Sequence, residues 1–401
     1  MLAAWWVLWL VAGALAQPGI PKEEHRARRA ELRKALPEGL VALFGATDKR
    51  GPDDGFVPFR QNPNFLYLTG WEEPGAILLL WPPDGEALLV PPRNEKAERY
   101  TGRKMSAEDA NARQVSGFDE VLATPSFEAR RQKLLEGHSK LYTPDDARQA
   151  ITKLRLRKSP HEVELIQKAL EVSGAAHRAA WRRVRAGVFE FQVAASFTGT
   201  LLERGCRDAY TPMAASGPNA MILHYWKNSR RLEAGELLVL DAGAECSAYA
   251  ADITRTLPVS GRFSARQREL YEIVLGAERA IIAAVKPGAT QGPERTTPNS
   301  LYKVAFDYID SHGKDRAGNS LGKYLVHGVS HHVGLQVQDS VSARELLEPG
   351  MVITVEPGIY IPEEGIAIRI EDMVLVTERG AKVMSAALPK EAAAIEKALA
   401  R

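Results

Sequence analysis

The sequence predicts an α+β protein in which a smaller α/β domain precedes a larger domain of helices packed on one side of a curved sheet. Three observations carry this. Short apolar runs bounded by Gly, Pro and Asp fill the first third of the chain, and long capped helices alternate with paired strand-like runs in the rest. Acidic and imidazole residues stand at the ends of several of those runs. With 401 residues, 45% of them hydrophobic, the chain is long enough for two cores, divided here as residues 17–152 and 153–401. The net charge of +2 gives no global field for a polyanion, so no nucleic acid is expected as a partner.

Residues 1–16, "MLAAWWVLWLVAGALA", are an apolar run ending in small residues. They are shorter than the roughly 20 residues of a spanning helix, and the ending resembles a secretory cleavage site. The expectation is a signal peptide cut after Ala16 and an exported, periplasmic or secreted protein with no stable membrane insertion afterwards. A run with no Lys or Arg at its start also leaves open an uncleaved anchor, or a mis-assigned start and a cytoplasmic protein.

Residues 23–36 read as a charged entry helix. The runs "LVALFGA", "AILLLW" and "EALLVPP" read as strands, and residues 127–136 as a helix. Asn-Pro and Glu-Pro-Gly in "FRQNPNFLYLTGWEEPGAILLL" are turn signals, and Tyr67 and Trp71 are expected to pack in a core. The basic run "KLRLRK", residues 153–158, reads as a solvated connector, because no aromatic residues are interleaved for base stacking.

Ser159 with Glu162 three residues on makes a capping box, with Pro160 at the first helical position. Apolar residues then recur at helical spacing to Gly187, which puts His177 on a buried face. A second helix over residues 189–204 ends before Gly205, and Ser264 with Gln267 opens another to about Lys286. A further helix is expected over residues 301–312. Cys206 and Cys246 are expected as buried small residues, since a domain of this size needs no disulfide framework, with a bridge between them in an oxidising compartment as the lesser alternative.

The chemistry concentrates in "LLVLDAGAECSAYAADITRT", residues 237–256. Asp241 follows an apolar strand run, Asp252 follows a second run, and Gly243 between them reads as a turn. A buried carboxylate without a partner costs several kcal/mol, so the pair calls for a cation; two strand-end aspartates capping a hairpin would leave the same pattern. Farther on, "HGVSHHVGLQVQD" supplies His327, His331 and His332, "MVITVEPGIY" ends an apolar run at Glu356, and "GIAIRIEDMVLV" adds Glu371. Strand alternation puts Arg369 and Glu371 on one face and Ile366, Ile368 and Ile370 on the other. Four carboxylates in one pocket would be neutralised by two divalent cations, and an oxygen-rich set with one imidazole leans toward manganese. Two such ions can share a bridging hydroxide as nucleophile, so the reaction class is metal-assisted hydrolysis.

Asp241 in "LDAG", Asp252 in "ADITRT", His331 in "HGVSHHVGL", Glu356 in "TVEPGIY" and Glu371 in "IRIED" resemble the signature of the pita-bread metallopeptidases, most closely the Xaa-Pro aminopeptidases. The resemblance implies a pita-bread catalytic domain behind an amino-terminal domain of the aminopeptidase P type, and proline-containing peptides as substrate. It implies a homo-oligomer, dimer or tetramer. It also implies a dinuclear centre, usually manganese, in which Asp241 chelates one ion, His331 and Glu356 hold the other, and Asp252 and Glu371 bridge. Glu356 would handle the proton of the attacking water, His224 and His327 would contact substrate, and Arg369 would support the acids.

One position departs from that family. Seven residues after His331, where the family has a histidine, stands Gln338, whose amide can donate to a substrate carbonyl but cannot deliver a proton. His332 is a poor replacement, because adjacent residues of an extended chain point to opposite sides. The departure keeps a catalytically impaired, peptide-binding homologue in view beside an Xaa-Pro dipeptidase, which would share all five ligands. A metal-free relative of the creatinase kind would have lost some of them.

Overall fold

The computed structural model describes residues 19–48, 59–138, 140–293, 295, 297, 299–339 and 345–400. The segment expected as a signal peptide lies outside them. Among the described residues no helix is long and apolar enough to cross a membrane.

The amino-terminal part runs α1 (Lys22–Ala35), β1 (Gly39–Phe44), α2 (Pro63–Thr69), β2 (Ile77–Trp81), β3 (Gly85–Val90), α3 (Glu95–Thr101), α4 (Ala112–Ser116), β4 (Val121–Ala123), α5 (Phe127–Leu135), β5 (Lys140–Tyr142) and α6 (Pro144–Leu156). Its strands form one mixed sheet in the order β4-β3-β2-β1-β5, antiparallel in the middle and parallel at both edges. The Asn-Pro pair is a helix start. The Asn62 side chain accepts from the backbone N–H groups of Asn64 and Phe65, Pro63 takes the first turn, and Gly70 closes α2 in the left-handed region at φ 64°. Tyr67 and Trp71 are buried, as core packing requires.

The rest of the chain runs α7 (Pro160–Trp181), α8 (Glu190–Glu203), β6 (Arg207–Asp208), β7 (Met213–Ser216), β8 (Leu237–Asp241), β9 (Ala244–Cys246), β10 (Tyr249–Ala250), β11 (Thr254–Pro258), α9 (Ala265–Ala284), α10 (Leu301–His312), β12 (Val352–Val355), β13 (Gly358–Ile361), β14 (Ile366–Arg369), β15 (Asp372–Thr377), β16 (Gly380–Val383) and α11 (Ala392–Leu399). Both capping boxes form: Ser159 and Glu162 open α7, and Ser264 and Gln267 open α9. The curved sheet is split into short antiparallel groups, β7-β8-β11, β6-β9-β10, β12-β15-β16 and the pair β13-β14. They are stitched by single contacts such as the Glu371 N–H donating to the Thr254 carbonyl at 3.0 Å.

Three expectations are corrected. The run 153–158 is not a solvated connector. It forms the end of α6 and the step into α7, with Arg155 and Lys158 buried. Arg155 pairs with Asp339 and donates to the Asn64 side chain at 2.6 Å, and Lys158 Nζ donates to Asp339 at 3.1 Å. A buried carboxylate needs such partners, and the two cations serve one acid.

Cys206 and Cys246 form a disulfide with Cα atoms 4.8 Å apart, because the antiparallel pairing of β6 with β9 brings their backbones together. The third correction concerns Gly243. The hairpin between the two aspartates turns at Ser247 and Ala248, at φ 48° and 67°, and Gly243 instead marks a close crossing. A Cβ there would stand 1.7 Å from the Ala251 carbonyl oxygen.

Candidate metal centre

Each acid reaches the site from the end of a buried strand. The β8 pattern is buried throughout and delivers Asp241 opposite Thr254 of β11; Asp252 enters just before β11 begins. Glu356 follows the last residue of β12. Arg369 ends β14, and Glu371 lies in the gap before β15, so the strand read as continuous is two. The two side chains still share a side, since Arg369 lies against Asp241 and Thr254 while Ile368 and Ile370 are fully buried on the other. His331 is held by its backbone N–H, which donates to Thr354 Oγ1 at 3.0 Å.

Asp241, Asp252, His331, Glu356 and Glu371 line one cavity of about 690 Å³, together with His224, His327, Arg369 and Gln338. Asp252, His331 and Glu371 each offer a donor atom within 4.8 Å of the others. His331 Nε2 stands 3.4 Å from Asp252 Oδ2 and 3.5 Å from Glu356 Oε1, while Nδ1–H donates to the His332 carbonyl at 3.2 Å. That bond fixes the tautomer in which Nε2 faces the acids. The Tyr210 hydroxyl lies within hydrogen-bond reach of both Asp241 Oδ1 and Asp252 Oδ1, and its one proton can serve either acid.

The electrostatics ask for a cation. Burial, and then the charges of Asp252, Glu356 and Asp241, raises the Glu371 carboxyl well above its ordinary range. Glu356 is pushed up to about 7, first by burial, with the negative charge of Asp252 adding to it against the pull of His331. Asp241 is raised by burial despite the Arg369 guanidinium beside it. Burial would lower His331, but the hydrogen bond to Asp252 and the charge of Glu356 prevail and lift it to about 9. Among the described residues Glu371 Oε1 is buried with no hydrogen-bond partner. A lone acceptor amid acids that repel one another fits divalent ions, and the donor set is mostly carboxylate with one imidazole.

Four groups absent from the sequence reading complete the site. The Thr254 hydroxyl donates to Glu371 Oε2 at 2.7 Å and accepts from Arg369 Nε at 3.3 Å. Thr354 Oγ1 donates to Glu356 Oε1 at 3.2 Å. Arg369 Nη1 donates to the Tyr360 hydroxyl at 2.6 Å, which reaches His327 Nε2 at 2.9 Å. Since His327 Nδ1–H donates to the Gly328 carbonyl, Nε2 is the acceptor in this chain. Burial and the neighbouring Arg369 charge keep that ring neutral, lowering it to about 4. Both threonines stand two residues from a candidate ligand on the same strand face, a signal the period of two carries. Tyr210 had none, lying in a Gly/Pro-rich passage.

His332 is buried away from the cavity, near Lys158 and Asp339, as alternation requires. His177 is fully buried and donates through Nε2 to the Ala242 carbonyl at 3.0 Å, a structural role.

Residues 164–378, which contain all five acidic and imidazole donors, match the model of metallopeptidase family M24. The chain belongs to that family. Residues 25–142 match the amino-terminal domain of aminopeptidase P. Among curated relatives, the Xaa-Pro aminopeptidase of Haemophilus influenzae is 35% identical, covering 94% of this chain and 97% of its own length, and that of Escherichia coli is 33% identical with the same coverage. Among solved structures, aminopeptidase P from E. coli with the inhibitor Pro-Leu superposes with a TM-score of 0.85 at 30% identity, covering 95% of this chain and 98% of that one. The zinc-substituted form of that enzyme with product gives 0.86. This M24 member therefore has the pita-bread fold behind an aminopeptidase P amino-terminal domain, and is a metallopeptidase whose pocket suits divalent metal.

Proposed function

We propose that this protein is a metal-dependent exopeptidase that hydrolyses the bond between an amino-terminal residue and a following proline. The convergence of the four carboxylates and His331 in one cavity carries the reading, and the full-length likeness to Xaa-Pro aminopeptidases supports the substrate class. Asp241, Asp252, His331, Glu356 and Glu371 would hold the metal. Two divalent ions, manganese by the character of the donors, would when bound supply an acidified water and a counter-charge for the oxyanion.

The chain's own groups do the rest. Glu356, whose carboxylate lines the cavity, takes the proton of the attacking water and returns it to the departing proline nitrogen. His327, kept neutral and oriented by Tyr360, contacts the substrate, as does His224 at the exposed rim. Gln338 offers an amide N–H to the scissile carbonyl. Arg369, buried among Asp241, Tyr360 and Thr254, holds the acids in place. Met213, Leu223 and Val337 give the cavity an apolar wall on which a proline ring can rest. A dedicated enzyme is needed because proline has no N–H and a fixed φ, which defeats proteases that grip an extended strand.

The test is metal analysis combined with turnover of one Xaa-Pro-Xaa tripeptide, its amino-acetylated form and the matching Xaa-Pro dipeptide. Release of the first residue from the free tripeptide, and its loss on acetylation, is expected. A fully metallated protein inert on every proline peptide would overturn the reading.

A further inference from the structure

Beside the metal cavity lies a second cleft of about 460 Å³ that shares Tyr210, Val337 and Gln338 with it. A peptide whose first bond sits at the acids and passes Gln338 enters this cleft next. One wall is the segment starting at Arg60 in the amino-terminal part, and the other carries Arg207 and Glu245. Among the described lining residues there are thus two guanidinium groups and one carboxylate.

Both cations lean on that single acid. Arg207 Nε donates to Glu245 Oε1 at 2.7 Å, and Arg60 Nη2 lies 2.9 Å from Oε2. Glu245 is almost wholly buried, whereas the Arg60 side chain is 52% exposed. One positive charge is left in excess where the downstream part of a substrate would lie. A guanidinium fork matches a carboxylate in geometry as well as charge.

We propose that this cleft is a subsite for the downstream end of the peptide, in which Arg60 reads a carboxylate of the substrate. The inference rests on the exopeptidase reading and deepens it: the preferred substrates are short peptides whose terminal carboxylate reaches Arg60, or longer ones with an acidic side chain at that distance. The partly exposed setting of Arg60 limits the gain to a modest factor, about fivefold in kcat/KM.

The experiment uses the metal-loaded full chain and the series Ala-Pro-Ala to Ala-Pro-Ala-Ala-Ala, each as free acid and as amide, with wild type and Arg60→Gln. At one or more lengths the free acid should exceed the amide by about fivefold in kcat/KM, mainly through KM, and Arg60→Gln should bring the ratio to about one. Amidated peptides with Glu at the third or fourth position separate the two sources. An advantage restored there, and lost in Arg60→Gln, assigns the carboxylate to a side chain; an advantage confined to free acids assigns it to the chain end. Ratios near one throughout in wild type, or a preference that survives Arg60→Gln, overturn the proposal. If the amides are still cleaved, that failure belongs to the subsite alone, whereas no cleavage of any peptide defeats the exopeptidase reading and this proposal with it.

Discussion

Gln338 stands at the mouth of the metal cavity on the loop that also carries His331, and its amide has no proton to deliver at any ordinary pH. If the position still serves catalysis, Gln338→His should raise kcat about tenfold and add an ionisation near pH 6.5 to the kcat profile. A rate that stays level or falls would mean the pocket has been rebuilt around the amide. Thr254 makes a different point, because its hydroxyl touches both Glu371 and Arg369 and would not touch the ions. Thr254→Val keeps the volume and removes that link, so divalent-ion affinity should drop by about 10- to 100-fold in chelator competition. Affinity within a factor of two of wild type would show that Glu371 is held without it.

At the scale of elements, Asp339 joins α6, the start of α7 and the loop behind His331 through one buried carboxylate. Its partners Arg155 and Lys158 lie more than 180 positions away in sequence. Asp339→Asn removes the shared acid and leaves two buried cations, so it should cost about 3–5 kcal/mol of unfolding free energy in a urea titration. A loss under about 1 kcal/mol would mean water or another acid already serves them. The same geometry explains what sequence could and could not tell. The helices at Ser159 and Ser264 were legible because a capping box is closed within three residues. The four acids were legible because each stands at the edge of an apolar strand run, which needs no knowledge of the partner strand, whereas His331 sits on a loop and was marked by its histidine-rich segment. The clasp at Arg155 and the Cys206–Cys246 bridge were not, since a basic run and two lone cysteines look solvated or merely buried until distant segments meet them. Tyr210 was hidden for the same reason: its partners are 31 and 42 residues on.

For the molecule as a whole, the gathered acids make stability depend on pH and on metal together. In the metal-free protein Glu356 rises from 4.5 to about 7 and His331 from 6.5 to about 9, and Asp241 and Glu371 shift upward too. A group whose pKa is higher folded than unfolded binds its proton more tightly in the fold. Its contribution is therefore complete below the unfolded value and is lost as pH rises through the folded one. The neutral histidines His25, His177, His327 and His332 have the opposite sign, but they act below about pH 6.5, where the unfolded chain takes up protons. Between pH 7 and 9 the centre's own charges thus set the metal-dependent part of the trend. With chelator present, Tm should fall across that window by about 1 °C for each kcal/mol lost. Divalent ions take the place of the protons and release those that remain, so added manganese should raise Tm more at pH 9 than at pH 7. Calorimetry at both pH values, with and without the ion, measures the difference; parallel curves would mean that the five side chains do not share their charge with a bound cation.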